Sequence, residues 1–106
     1  MNSVIAFNAK YSYTLFLRCF MEKLLYKISD ENGIHARPAG LIVNAAKRFV
    51  STISLERAGK TADAKKLFSV MGLGIRCGDE IAIIAEGNDE REAVREIERV
   101  MKSAGL

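Results

Sequence analysis

Tryptophan is absent from these 106 residues, proline and histidine occur once each, and there are only two cysteines. Each scarcity removes a class of function. Cys19 and Cys77 lie far apart, and neither has a Cys or His at metal-ligand spacing, so no metal site is expected. Nothing suggests a disulfide-stapled secreted domain; free thiols are the default reading, with a bond between the two left open. One histidine, with no cysteine cluster and no carboxylate pair at helical spacing beside it, does not complete a hydrolase or metalloenzyme site. Basic residues alternate with acidic ones to a net charge of +3, and the only basic doublets are Lys47-Arg48 and Lys65-Lys66. Nucleic-acid surfaces combine a basic stripe with stacking aromatics. Here four of the eight Phe and Tyr fall within the first sixteen residues, so no nucleic-acid partner is expected. Long hydrophobic runs are missing too. Lys10 and Arg18 interrupt the apolar amino end, which also lacks the basic start and cleavage site of a signal peptide. The expectation is a soluble, cytoplasmic protein with no direct membrane insertion.

What remains is an ordinary globular balance, 49% apolar and 27% charged, in a chain long enough for one modest core. Residues 1–20 are aromatic and apolar without a clean period, and read as an N-terminal extension, either an appendage or translation from an upstream start codon. The domain proper is expected over residues 21–106. Partial alternation from Leu24 to Ser29 suits a half-buried strand, ended by Asp30, Asn32 and Gly33. Residues 37–49 suit a helix with Ile42, Val43, Ala46 and Phe49 on one stripe. Ile53 and Leu55 mark a second strand, Ala58-Gly59 a turn, and Lys60–Asp63 a third strand. Residues 66–73 are a short helical stretch stopped by Gly72 and Gly74. Ile81, Ile83 and Ala85 mark a fourth strand. The last helix follows Gly87, with Asp89 and Glu92 at capping-box spacing. The order strand, helix, strand, strand, helix, strand, helix implies an α+β fold, a four-stranded, mostly antiparallel sheet with three helices on one face.

The chemistry concentrates in Gly33-Ile34-His35-Ala36-Arg37-Pro38-Ala39-Gly40, at the start of the first helix. A lone histidine at a turn is commonly a plain surface residue or a helix-cap donor. A helix start, however, offers unpaired N–H groups and about half a positive charge, and so favours anions. Arg37 adds a fork of donors suited to phosphate, which a lysine does not reproduce. Pro38 is a residue type favoured in a first helical turn. A neutral imidazole placed there can accept a phosphoryl group on nitrogen.

That octapeptide resembles the active-site loop of HPr, the histidine-containing phosphocarrier of the phosphoenolpyruvate:sugar phosphotransferase system. The likeness runs over about residues 22–104 and includes Gly59-Lys60, the Lys65–Gly74 segment, Gly87 and Asp89-Glu90. The resemblance implies an open-faced βαββαβα sandwich. It also implies that His35 takes a phosphoryl group from phosphorylated Enzyme I and passes it to sugar-specific EIIA-type domains, as a carrier with no turnover of its own and no cofactor. The phosphate would ride on the δ nitrogen beside the Ala36 and Arg37 amides, with Gly33 and Pro38 shaping the loop. The neighbourhood implied to dock partners comprises Gly40, Leu41, Lys65, Lys66, Leu67, Phe68 and Met71. Within it, Leu67 and Val70 also suit core packing, whereas Phe68 and Met71 suit an exposed apolar patch. Lys66 stands where Gram-positive relatives carry a regulatory serine, so serine-level control is not expected, and Ser69 does not inherit that role. The alternatives are a paralogue with a regulatory or nitrogen-control role, or a small anion-binding module. The protein is expected to be a monomer.

Overall fold

Alternation decides how the first strand sits. In β1 (Glu22–Lys27), Leu24 and Tyr26 turn toward the core while Lys23, Leu25 and Lys27 face out, as a period of two requires. The computed structural model describes residues 21–106. The segment 1–20, read above as an extension, lies outside the described residues, and Cys19 with it.

The remaining elements are α1 (Ala36–Ala46), β2 (Thr52–Arg57), β3 (Lys60–Asp63), α2 (Leu67–Met71), β4 (Glu80–Glu86) and α3 (Glu90–Ser103). The sheet has the order β1-β4-β2-β3, and every pairing is antiparallel. Register follows the apolar pattern: Leu24 pairs with Ile83, Leu55 with Ile83 and with Ala62, and Ile53 with Ala85. A slip of one residue would turn this whole set to water. A two-residue turn joins β2 to β3, with Ala58 at φ 51 and Gly59 at φ 83, the left-handed pair that a tight hairpin of this twist demands. The three helices cover one face of the sheet, giving the expected α+β open-faced sandwich. Ile42 from α1, Val70 from α2, and Ile97 and Met101 from α3 meet Ile53, Leu55, Ile81 and Ile83 in a fully buried core.

Two boundaries differ from the sequence reading. The first helix ends at Ala46, three residues before Phe49, which lies beyond the helix and packs half-buried against the core. The capping box expected from Asp89 and Glu92 does not form. Asp89 stands at the N-cap of α3 without a side-chain cap bond, and the residue reaching back is Glu90, whose Oε1 accepts the Gly87 N–H at 3.0 Å. Asp89 faces the α1–β2 connection instead. Its carboxylate accepts the N–H groups of Val50 and Ser51, each at 3.0 Å, and the Ser51 hydroxyl. That choice has a physical logic: Ser51 is buried, and without these partners its polar groups would be stranded.

The bond from the Ser51 hydroxyl, followed by those from the two amides, outweighs desolvation and holds the Asp89 carboxyl below the usual carboxylate range. A depressed folded value stabilises the protein above the unfolded value, and that contribution is lost as pH falls through the depressed one. We therefore expect Asp89→Asn to lower Tm by several degrees at pH 7, with the gap to wild type narrowing as pH falls from 7 through the depressed value. Thermal melts across that range check it.

Candidate functional site

The loop that carries the histidine is fixed before the histidine is reached. Ile28, at the foot of β1, donates to the Asp79 carbonyl at 2.9 Å and accepts from the Gly78 N–H at 2.7 Å. The Ser29 N–H donates to the Leu106 carbonyl at 2.7 Å, and the Ser29 hydroxyl adds a second bond to the same oxygen at 3.1 Å. Asp30 then turns the chain. Its carbonyl accepts the Gly33 N–H and its Oδ1 accepts the Asn32 N–H, both at 2.9 Å. Gly33 takes φ +64, and a side chain there would run into the Ile75 carbonyl oxygen. Glycine is required twice over, by conformation and by space. The next residue, Ile34, is buried and donates to that same Ile75 carbonyl at 3.2 Å.

The Ile75 segment is itself anchored. Arg57 on β2 donates Nε to Asp79 Oδ2 at 2.7 Å and Nη1 to the Leu73 carbonyl at 2.8 Å, while the Arg76 N–H donates to Asp79 Oδ2 at 2.8 Å. The Arg76 amide and then the Arg57 guanidinium keep the Asp79 carboxyl below its ordinary range. A part-buried ladder of hydrogen bonds thus runs from the sheet to the site loop.

His35 follows as the N-cap of α1, with extended backbone at φ −120 and ψ −172. Helix N-caps are normally Ser, Thr, Asp or Asn, whose side chains occupy the first amides. His35 makes no such bond, and no acidic residue lies in the first turn of α1. The ladder of α1 begins with the Ala39 N–H donating to the His35 carbonyl at 2.9 Å. Pro38 has no N–H, so Ala36 and Arg37 carry the free amides of this helix start. The His35 side chain is 46% exposed and therefore open to a partner, and it lines a cleft of about 570 Å³ together with Arg37, Pro38 and Leu41. Among the described residues Arg37 is engaged in no ion pair. The arrangement is an exposed imidazole beside an uncapped helix start and an uncommitted guanidinium. It offers a nucleophile and a place for the oxygens of an anion.

Sequence reasoning missed the other wall of that cleft. Asp30, Asn32, and the α3 residues Arg99 and Ser103 line it too. The buried face of α3, Ala93, Val94, Ile97 and Met101, sets it beside α1, and a surface contact is added by Glu96. It accepts from Arg48 Nη2 at 2.7 Å and from Arg99 Nε at 2.9 Å, clamping α3 to the chain just after α1, and Arg99 and then Arg48 hold its carboxyl down to about 2. No local pattern announces a contact between residues 48 positions apart in the chain.

The expected partner surface divides. Leu41 and Met71 are exposed, and Phe68 is exposed by 84%, more than any other large apolar side chain described. Leu67 is half-buried against the core, and Gly40 is half-buried within α1. Lys65 spends part of its reach on the Phe49 carbonyl, to which Nζ donates at 2.8 Å, whereas Lys66 is exposed at the N-cap of α2. Ser69 is exposed within α2. Among the described residues no three metal-ligating side chains come together, and no helix is long and apolar enough to cross a membrane. Cys77 is free and exposed.

Comparison with known proteins agrees with this geometry. The family model described as the PTS HPr component phosphorylation site matches residues 23–103. The fold superposes on a histidine-containing phosphocarrier protein of Mycoplasma with a TM-score of 0.79 at 35% identity, covering 80% of this chain and 97% of that one. A phosphocarrier protein HPr from Bacillus anthracis is 39% identical, with a TM-score of 0.71 over 76% of this chain and 95% of that one. The catabolite-repression protein Crh of Bacillus subtilis, seen as a domain-swapped dimer, is 36% identical, with a TM-score of 0.63 over 76% and 93%.

Because a Cβ at residue 33 collides with main-chain atoms rather than a movable side chain, we expect Gly33→Ala to destabilise the fold by about 2–4 kcal/mol. Urea unfolding measures this, and a loss below about 0.5 kcal/mol would mean that the loop does not depend on the close approach.

Proposed function

The chain belongs to the HPr family, and on that premise we propose that it is a cytoplasmic phosphocarrier. In this reading His35 accepts a phosphoryl group from phosphorylated Enzyme I and passes it to sugar-specific EIIA-type domains. The observation that carries the reading is the exposed His35 imidazole at the uncapped start of α1, bordering one cleft with Arg37. An exposed helix start contributes about 0.3–1 kcal/mol to a bound anion. Such modest holding suits a carrier, which must release what it accepts. Arg37 would grip the phosphoryl oxygens through two parallel N–H donors. The protein is proposed to act as a monomer during transfer.

A regulatory paralogue is the second reading, and the likeness to Crh favours it, since that relative acts in catabolite repression. Both readings keep the labelling of His35 and differ in which protein discharges it. A simple anion-binding module would not be labelled at all.

Incubation with phosphoenolpyruvate and Enzyme I is expected to give an alkali-stable, acid-labile phosphate that is absent in His35→Ala. Arg37→Lys should slow transfer at least tenfold while leaving the unfolding midpoint in place. No label with several Enzyme I proteins would overturn the carrier reading, and wild-type transfer by Arg37→Lys would remove Arg37 from it.

Phe68 and Met71, with Leu41, are proposed to dock donor and acceptor proteins, because large apolar side chains held this far into water are commonly binding surfaces. Phe68→Ala is expected to raise the Enzyme I concentration needed for half-maximal labelling severalfold and to change stability by less than about 0.5 kcal/mol. Titrating Enzyme I against labelling rate checks it.

A further inference from the structure

We infer that Asp30 is a positioning residue for His35. It favours the ring tautomer that carries its proton on Nε2 and leaves the Nδ1 lone pair as the nucleophile. This inference rests on the phosphoryl-acceptor role proposed above for His35.

The geometry is specific to this loop. Asp30 Oδ2 lies 3.9 Å from His35 Nε2, and among the described residues it is the one carboxylate within ion-pair range of the ring. At that separation there is no direct hydrogen bond, but the field of the charge is substantial. The carboxylate is also aimed rather than free to wander. Its other oxygen, Oδ1, accepts the Asn32 N–H, and the Asp30 carbonyl accepts the Gly33 N–H, so the turn that delivers His35 also orients the acid. The preceding residue is tied by two bonds to the Leu106 carbonyl, and the Asp30 side chain is only 22% exposed. The cationic groups bordering the same cleft are Arg37 and Arg99, and Arg99 is already paired with Glu96.

A negative charge beside Nε2 favours an N–H there and disfavours a lone pair. It also repels an incoming phosphoryl group from that edge of the ring. Both effects direct the reaction to Nδ1, the nitrogen bonded to Cγ. In the forward step the Nδ1 lone pair forms the new N–P bond, while the bond from phosphorus to the donor breaks and the donor atom keeps the electron pair. The Nε2 proton stays in place, and the ring takes up positive charge facing the Asp30 carboxylate. On discharge the N–P electrons return to Nδ1 and the starting tautomer is restored. No proton has to be exchanged in either direction.

The sole histidine makes the test direct. In protein labelled with 15N-histidine, at a pH where the ring is neutral, the nitrogen shifts report the tautomer without any phosphoryl donor or partner. The Nε2–H form should predominate in the wild type. Asp30→Asn retains an acceptor for the Asn32 amide but removes the charge, and should lower the ratio of Nε2–H to Nδ1–H by roughly three- to tenfold. Asp30→Ser, which also keeps an acceptor for the turn, serves if the asparagine variant does not fold, with the same expected change. A wild-type ring mainly in the Nδ1–H form, or an unchanged ratio in the folded variant, overturns the inference. Because the readout needs no transfer, its failure is distinct from failure of His35 to be labelled.

Discussion

The site depends on one close approach, that of the Gly33 backbone to the Ile75 carbonyl. The same oxygen accepts the Ile34 N–H, so two successive residues of the histidine loop are set against one point of the 72–79 segment. That segment would be a poor reference if it were free. Arg57, whose guanidinium bridges Leu73 and Asp79, ties it to a strand interior to the sheet. Rigidity is therefore passed from the sheet to the 72–79 loop, from there to Gly33 and Ile34, and finally to the N-cap at His35. Loops that carry chemistry are commonly positioned by a stiff scaffold in this way. The first step of this transmission runs through the Arg57 and Asp79 side chains, and the last, from Ile75 to Ile34, is a main-chain hydrogen bond that leaves no room for a Cβ at residue 33.

Electrostatics at the end of that chain are set by what is withheld. A cap such as Ser or Asp would stabilise α1 by about 1 kcal/mol and would fill the amides that an anion needs. His35 does neither, and no acidic residue follows it in the first turn. The helix start keeps its positive end, Arg37 adds to it, and Pro38 concentrates the free donors on two neighbouring amides. Local stability is forgone in favour of an open, positively polarised place. The starts of α2 and α3 lack a side-chain cap bond as well, so what sets α1 apart is the exposed imidazole and the Arg37 guanidinium beside its free amides.

Much of this was legible in the sequence. The glycine turn, the lone histidine, the arginine two residues on and the proline are local, and local pattern carries helix starts and turns well. Alternation at Leu24-Tyr26 and at Ile53-Leu55 fixed which face of each strand is buried, because the register of an antiparallel sheet follows that face. Exposure of Phe68 and Met71 was readable from helical spacing against Leu67 and Val70. What was not legible is tertiary. Asp89 looked like a capping residue, and its own helix does offer free amides, but the buried Ser51 competed for it and won. Arg99 enters the cleft because α3 packs through Ile97 and Met101 against the shared core, with Glu96 tied to Arg48 at the surface. Asp30 read as a strand terminator, which it is, and it is the fold of the 30–35 turn that sets its second oxygen 3.9 Å from the ring Nε2.

Lys66 stands where the resemblance puts a regulatory serine in relatives, and its local charge bears on how such control would work. It occupies the N-cap of α2 with extended backbone and no cap bond, and it is exposed. A phosphoryl group at an N-cap position would lie against the helix start and be favoured there, whereas a lysine places positive charge at the positive end. Ser69 is no substitute in physical terms. It stands third in α2, directly after Phe68 and two residues before Met71, so a phosphate on it would introduce about two negative charges into the exposed apolar patch. Such a charge would act by spoiling an apolar contact rather than by seating at a helix end. A switch at Ser69 would therefore block docking broadly, while modification at residue 66, had a serine stood there, could have built a new surface without removing the old one.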